Sequence, residues 1–169
     1  MEVRPAVDAA FRVHLEEYEA DVLRRLTAEM HELLAREERA DPALQRLFPD
    51  AYEESENARA YSDLVGNELK SGKRAAVQLL RRQLAGEGAI EAAVSAAEAD
   101  AWLTALTDMR LAIGARLEVT EEKMNQAMDP NVPDAPAWAV LHWLGWLQES
   151  ILKTLGDPTD EEKENDASS

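Results

Sequence analysis

The residues of this sequence that could do chemistry fall into a few groups. Arg110 lies among Leu103, Leu106, Ile113 and Leu117 when its stretch is wound as a helix. A guanidinium there needs a carboxylate and further acceptors, because a buried unpaired charge costs several kcal/mol. Either it closes an internal ion pair, with Glu149 or Asp63 in reach, or it holds a small anion or a ligand carboxylate. His142, Trp146, Glu149 and Lys153 follow one another at spacings of four, three and four, which lines them up as one helical ridge. An indole among charged groups makes a protein-contact anchor, unless other segments cover it. Lys70, Lys73, Arg74, Arg81 and Arg82 form a basic run uninterrupted by acids. Arg74, Gln78 and Arg81 share a helical face that could touch phosphates or an acidic partner. The alternatives are a solvated face or a dock for the acidic C-terminus. No aromatic interleaves the run, so stacking on single-stranded bases is unsupported.

Catalysis finds little footing. His14, His31 and His142 are scattered, without the His-Glu-x-x-His or paired Glu-x-x-His spacings of metal sites. There is no cysteine, no phosphate-gripping glycine loop and no Gly-x-Ser-x-Gly turn. With 34 acidic residues chance carboxylate pairs are inevitable, and none stands out as a general acid and base. The expectation is a protein that is not an enzyme and takes no metal or cofactor.

The elements that must position these residues are mostly helical. Pro136 to Leu155, with Trp138, Trp143 and Trp146, is the most apolar stretch. Ala137, Leu141, Leu144, Leu147, Ile151, Leu152 and Leu155 give it a wide apolar face, so it should be covered on more than one side. The second central helix runs from Ala96 to Leu117, aligning Trp102, Leu106, Met109, Ile113 and Leu117. It opens on Ser95-x-x-Glu98, the spacing of a capping box. Glu16 to Arg39 predicts a helix with the stripe Tyr18, Val22, Leu26, Met30 and Leu33, broadened by Leu23 and Leu34. Asp41-Pro42 reads as an N-cap and first-turn proline, starting a short helix that stops before Pro49. Asp50 to Glu56 reads as a turn. Ala58 to Leu69 and Val77 to Leu84 suggest two helices broken at Ser71-Gly72, and Gly86-Glu87-Gly88 stops the second. Thr120 could cap a short helix to about Met128, and the prolines from Pro130 to Pro136 stiffen the link that follows. Phe11, Val13 and Leu15 alternate as a short strand would.

The 169 residues suit one domain. The formal charge is −16, of which the tail from Asp157 to Ser169, with six acids and one lysine, holds −5 and leaves −11 for the rest. Such a field repels phosphate backbones and anionic lipid, which disfavours nucleic acid and membrane as partners. No export signal and no membrane-length apolar run is visible, and the lack of cysteine suits a reducing cytoplasm.

Three blocks, 41–52 (Asp-Pro-Ala-Leu-Gln-Arg-Leu-Phe-Pro-Asp-Ala-Tyr), 101–117 (Ala-Trp-Leu-Thr-Ala-Leu-Thr-Asp-Met-Arg-Leu-Ala-Ile-Gly-Ala-Arg-Leu) and 143–150 (Trp-Leu-Gly-Trp-Leu-Gln-Glu-Ser), carry a family resemblance. From Leu15 to Leu155 the chain resembles an uncharacterised actinobacterial family, the domain of unknown function numbered two-zero-one-seven. The resemblance implies no established activity and supplies no catalytic residues. Genes of the family often lie beside that of the adaptor that hands substrates to the Clp protease, and some members carry the label of transcriptional regulator. Both nominate partners to test.

The expectation is therefore an all-α, single-domain orthogonal helical bundle around two central Trp-bearing helices, with room for one short N-terminal strand. Residues 1–156 form the helical domain and 157–169 an acidic disordered tail. The function expected is a cytoplasmic, non-enzymatic protein-binding regulator or adaptor, linked to Clp proteolysis through the resemblance and met by its partner on the Trp146 ridge. One alternative is a transcriptional regulator contacting DNA through Lys70–Arg82, and another is a small-anion sensor using Arg110. Homo-oligomerisation is left open.

Overall fold

The alternation at Phe11, Val13 and Leu15 does form a strand, and it is the middle one of three. The computed structural model describes residues 1–36, 41–49, 59–120, 123 and 133–156. Strands β1 (Glu2–Arg4), β2 (Phe11–Leu15) and β3 (Ile90–Val94) make an antiparallel sheet in the order β1-β2-β3. Phe11 pairs with Val94, Val13 with Ala92 and with Val3, and Leu15 with Ile90. With side chains alternating between faces, one face is apolar and buried. The other carries Arg4 bound to Glu91 at 3.1 Å and Arg12 bound to Asp8 at 2.7 Å. The expectation of an all-α chain is corrected accordingly: the helices share their core with a small sheet.

Five helices are seen among the described residues: α1 (Glu17–Ala35), α2 (Pro42–Leu47), α3 (Arg59–Gln83), α4 (Ala96–Leu117) and α5 (Ala135–Gly156). The buried face of α1 is Ala20, Leu23, Thr27, Met30, Leu33 and Leu34, so Met30, Leu33 and the broadening Leu23 and Leu34 are where they are expected, whereas Tyr18 is 77% exposed. From Tyr18 to Met30 the stripe read from the sequence advances by fours, which drifts about 40° per step around a helix of 3.6 residues per turn and carries its N-terminal end toward solvent. Alternating steps of three and four hold the true face in line.

Asp41 caps α2 by accepting from the amide of Ala43 at 2.8 Å, with Pro42 in the first turn. The helix ends at Phe48, before Pro49, and Leu44 and Leu47 are buried. The break expected at Ser71-Gly72 is absent, because α3 runs unbroken from Arg59 to Gln83. An interior glycine costs only about 1 kcal/mol. Burial of Ala76, Val77 and Leu80 outweighs it. After α3, Gly86 and Gly88 take φ of 107° and 77°, left-handed values that turn the chain back so that β3 lies beside β2.

Helix α4 has the bounds expected, with the Ser95–Glu98 capping box formed. The backbone and hydroxyl of Ser95 hold the Glu98 carboxyl below its usual range. Trp102 is completely buried. Its indole donates to Gln83 Oε1 at 2.6 Å and meets Phe11 edge-on at 6.4 Å. Helix α4 packs against α2, α3 and α5, and α5 packs also against β1 and β2. The two Trp-bearing helices thus lie side by side, each covered from more than one direction. Leu144, Leu147 and Ile151 of α5 are buried with Trp138, while Leu152 and Leu155 reach solvent.

Thr120 Oγ1 accepts from the amide of Lys123 at 3.2 Å, as a cap would. The turn expected at Asp50 to Glu56, the rest of the short helix to Met128, most of the proline-rich link and the tail 157–169 lie outside the described residues.

Candidate functional site

The ridge on α5 reaches solvent. Leu144, Leu147 and Ile151 anchor one side of the helix, and His142, Trp146, Glu149 and Lys153 stand exposed on the opposite side. Trp146 is 55% exposed, the one tryptophan of the molecule's four on which the solvent-facing ridge is built. His142 Nδ1 lies 2.8 Å from the carbonyl of Trp138, one turn earlier. A carbonyl can only accept, so Nδ1 is the donor in this contact. Ser150 Oγ donates to the carbonyl of Trp146 at 2.8 Å, tying the ridge to its own helix. The result is an exposed indole on a packed helix, in line with an imidazole, a carboxylate and an ammonium.

Arg110 is not buried as its wheel position suggests. Its guanidinium lies over Gly145 and donates to Gln148 Oε1 at 2.7 Å, and Gln148 in turn donates to Thr107 at 2.6 Å. The partner is therefore an amide on the α4–α5 seam, not Glu149, which faces the ridge. The side chain of Asp63 is outside the described residues.

The basic run is divided. Lys70 donates to the carbonyl of Arg36 and Arg74 to that of Leu34, each at 3.1 Å. Both thus satisfy carbonyls at the C-terminal end of α1, where the helix dipole favours cations. Lys73 forms a 2.6 Å ion pair with the buried Asp108 and sits 5.9 Å from the centre of the Phe48 ring. Burial pushes the Asp108 carboxyl above its ordinary value, with the Lys73 bond pulling the other way. Arg81 and Arg82, in the last turn of α3, stay exposed.

Other polar anchors were missed by sequence reasoning. Arg24 donates to the carbonyls of Leu84 at 2.8 Å and Gly88 at 3.0 Å, and to Asp21 at 2.6 Å. Asp21 at three residues' distance was the only signal available for it. Among the described residues, no three histidine, aspartate or glutamate side chains gather as a metal site would need, and no helix is long and apolar enough to cross a membrane.

A helical domain closed by a three-stranded sheet, with a tryptophan ridge on its most apolar helix, is the class of protein these features define. The chain belongs to the family described as Domain of unknown function (DUF2017), whose model matches residues 2–155. It is similar to proteins of Mycobacterium tuberculosis and Mycobacterium bovis named "Oxidative stress regulator AosR", 32% identical over 130 residues. The alignment covers 68% of this chain and 58% of the length of those relatives. No solved structure gives a significant match.

Proposed function

We propose that this chain is a non-enzymatic cytoplasmic regulator that acts in the response to oxidative stress by binding another protein through His142, Trp146, Glu149 and Lys153. The observation that carries the reading is the Trp146 indole, 55% exposed on a helix whose other faces are anchored in the core. A side chain held by a rigid helix loses little freedom on binding, and tryptophan is enriched among residues that dominate interface energies. The regulator name of the mycobacterial relatives supports the broader class. The Clp adaptor nominated by the family's gene neighbourhood is a specific partner to try.

The DNA reading has no comparable support. Lys70, Lys73 and Arg74 already hold carbonyls or Asp108, and the net charge of −16 opposes a phosphate backbone.

The test is capture from a native lysate at moderate salt with nucleic acid digested. The unmodified chain is expected to retain a protein, and Trp146→Ala to weaken retention by about 2 kcal/mol, roughly thirtyfold, without loss of fold. Equal retention by the variant, or recovery of nucleic acid alone from an undigested sample, would overturn the proposal.

A further inference from the structure

Strand β3 closes one side of the sheet, and its outer edge has no neighbouring strand among the described residues. The amide of Ala10 donates to the carbonyl of Val94 at 2.8 Å, so Val94 turns its backbone groups toward β2. Along a strand these groups alternate in direction. Ile90 and Ala92 therefore face β2 as well, and Glu91 and Ala93 aim their N–H and C=O groups outward. Both residues are exposed. Natural sheets guard such an edge with lysine, proline or an outward charge. Strand β3 has neither lysine nor proline, and its single charge, Glu91, is drawn away from the edge. The Glu91 carboxylate meets Arg4 of β1 at 3.1 Å and Arg12 of β2 at 3.7 Å, so it leans back over the sheet.

We propose that β3 pairs with β3 of a second copy of this chain, antiparallel and centred on Ala92, to join the two sheets into one. In this register Glu91 of each copy lies opposite Ala93 of the other, and the facing residues exchange backbone hydrogen bonds. Neither charge nor size obstructs the pairing. Each Glu91 faces an alanine rather than the other Glu91, and Ala92 meets Ala92 at the centre. On the apolar face Ile90 meets Val94, which extends the layer both already form with the core.

Charge selects a second copy as the occupant. A chain of formal charge −16 repels itself over most of its surface. At this edge the repulsion is relieved locally, because Glu91 is matched by Arg4 and Arg12, and Glu98 at the start of α4 feels the charge of Arg82. A basic foreign strand would find no free carboxylate on β3 to prefer. Helix α5 packs on β1 and β2, so the pairing engages a different part of the molecule from the Trp146 ridge and gives a dimer that carries two such ridges.

Sedimentation of the full chain tests this. The edge is short, so the dimer should be half-formed only at about 0.1–1 mM chain in about 0.15 M salt. Less should form at about 0.01 M salt, where the screening length grows and the copies repel. Ala93→Glu probes the register. Arg12 lies directly across from position 93 within the chain, so this variant should fold as well as the native one. Its new carboxylate faces Glu91 of the second copy, and association should weaken roughly tenfold. Ala92→Cys gives the chain its one cysteine at the centre of the pair, where facing Cα atoms are about 4.5 Å apart and within reach of a disulfide. Under mild oxidation it should cross-link roughly tenfold faster than Ser71→Cys, exposed on α3. Trp146→Ala should dimerise like the native chain. A chain still monomeric at about 1 mM overturns the proposal, whether or not a foreign strand is later found on this edge. Unchanged association in Ala93→Glu, equal cross-linking of the two cysteine variants, or loss of the dimer in Trp146→Ala would overturn it too.

Discussion

Asp108 is a charged residue almost wholly withdrawn from water. It is 1% exposed, one carboxylate oxygen meets Lys73 at 2.6 Å, and the other has no hydrogen-bond partner among the described residues. A buried pair of this kind does not stabilise much compared with a well-packed apolar pair, because removing two charges from water offsets their attraction. Breaking it is another matter, since one charge is then stranded at the junction of α2, α3 and α4. Asp108→Ala or Lys73→Met alone should therefore lower stability by about 3–5 kcal/mol, whereas Asp108→Leu combined with Lys73→Met should be close to neutral or better. Denaturant unfolding of the four chains checks this, and single-variant losses under about 1 kcal/mol would show that water still solvates the pair. None of it was legible in the sequence. Lys73 reads as one cation of a surface run, and its partner is 35 residues away on another helix.

Elements are held in place here by polar groups that close helix ends and turns. Arg24 of α1 binds two carbonyls of the turn that carries the chain from α3 into β3. Arg24→Met should cost about 2–3 kcal/mol from the lost charge-assisted bonds, and should raise amide exchange in β3 before the rest of the core. Uniform exchange across β3 and α4 in that variant would mean that Arg24 does not hold the turn. The helix starts were the most legible features of the chain. Asp41-Pro42 and Ser95-x-x-Glu98 work through neighbours within a few residues, so their chemistry is written locally. Strands β1 and β3 are not local in this sense. Ala92 and Ala93 have weak strand preference, and Ile90–Val94 becomes a strand by pairing with β2 from the far end of the sequence. The spacing that aligns His142, Trp146, Glu149 and Lys153 was equally plain. Their exposure was not, because a helical wheel contains no information about which neighbours arrive from elsewhere in the chain.

At the scale of the whole molecule, net charge exerts a force that no single contact describes. A formal −16 at pH 7 means that folding draws like charges together. Asp108 acts in the same direction: a carboxyl whose folded value is raised above the ordinary 3.8 binds protons more readily in the native state. By linkage its contribution to stability is fully present below that ordinary value and is lost as the pH rises through the raised one. Glu98 and Asp8 work oppositely. Their folded values are lowered, by Ser95 and by Arg12 respectively, so what they contribute is present above the ordinary carboxylate range and lost as the pH falls through the lowered values. As the pH is lowered from neutral, the contribution of Asp108 to stability should therefore grow, and those of the cap and sheet carboxylates should be lost once the pH falls through their lowered values. Salt separates the long-range repulsion from the buried pair. Raising salt from about 0.01 M to about 0.1 M contracts the screening length from about 30 Å to about 10 Å, which relieves distant repulsion and leaves the buried Asp108–Lys73 pair almost untouched. Thermal unfolding at pH 7 should shift upward by a few degrees over that range in the native chain and equally in the Asp108→Leu, Lys73→Met chain. The double variant should lose the part of the pH dependence that Asp108 contributes above the ordinary carboxylate value and none of the salt dependence. A midpoint that ignores salt would place the pH dependence in Asp108 alone, and one that falls with salt would mean that attraction between opposite charges, not repulsion, governs the surface.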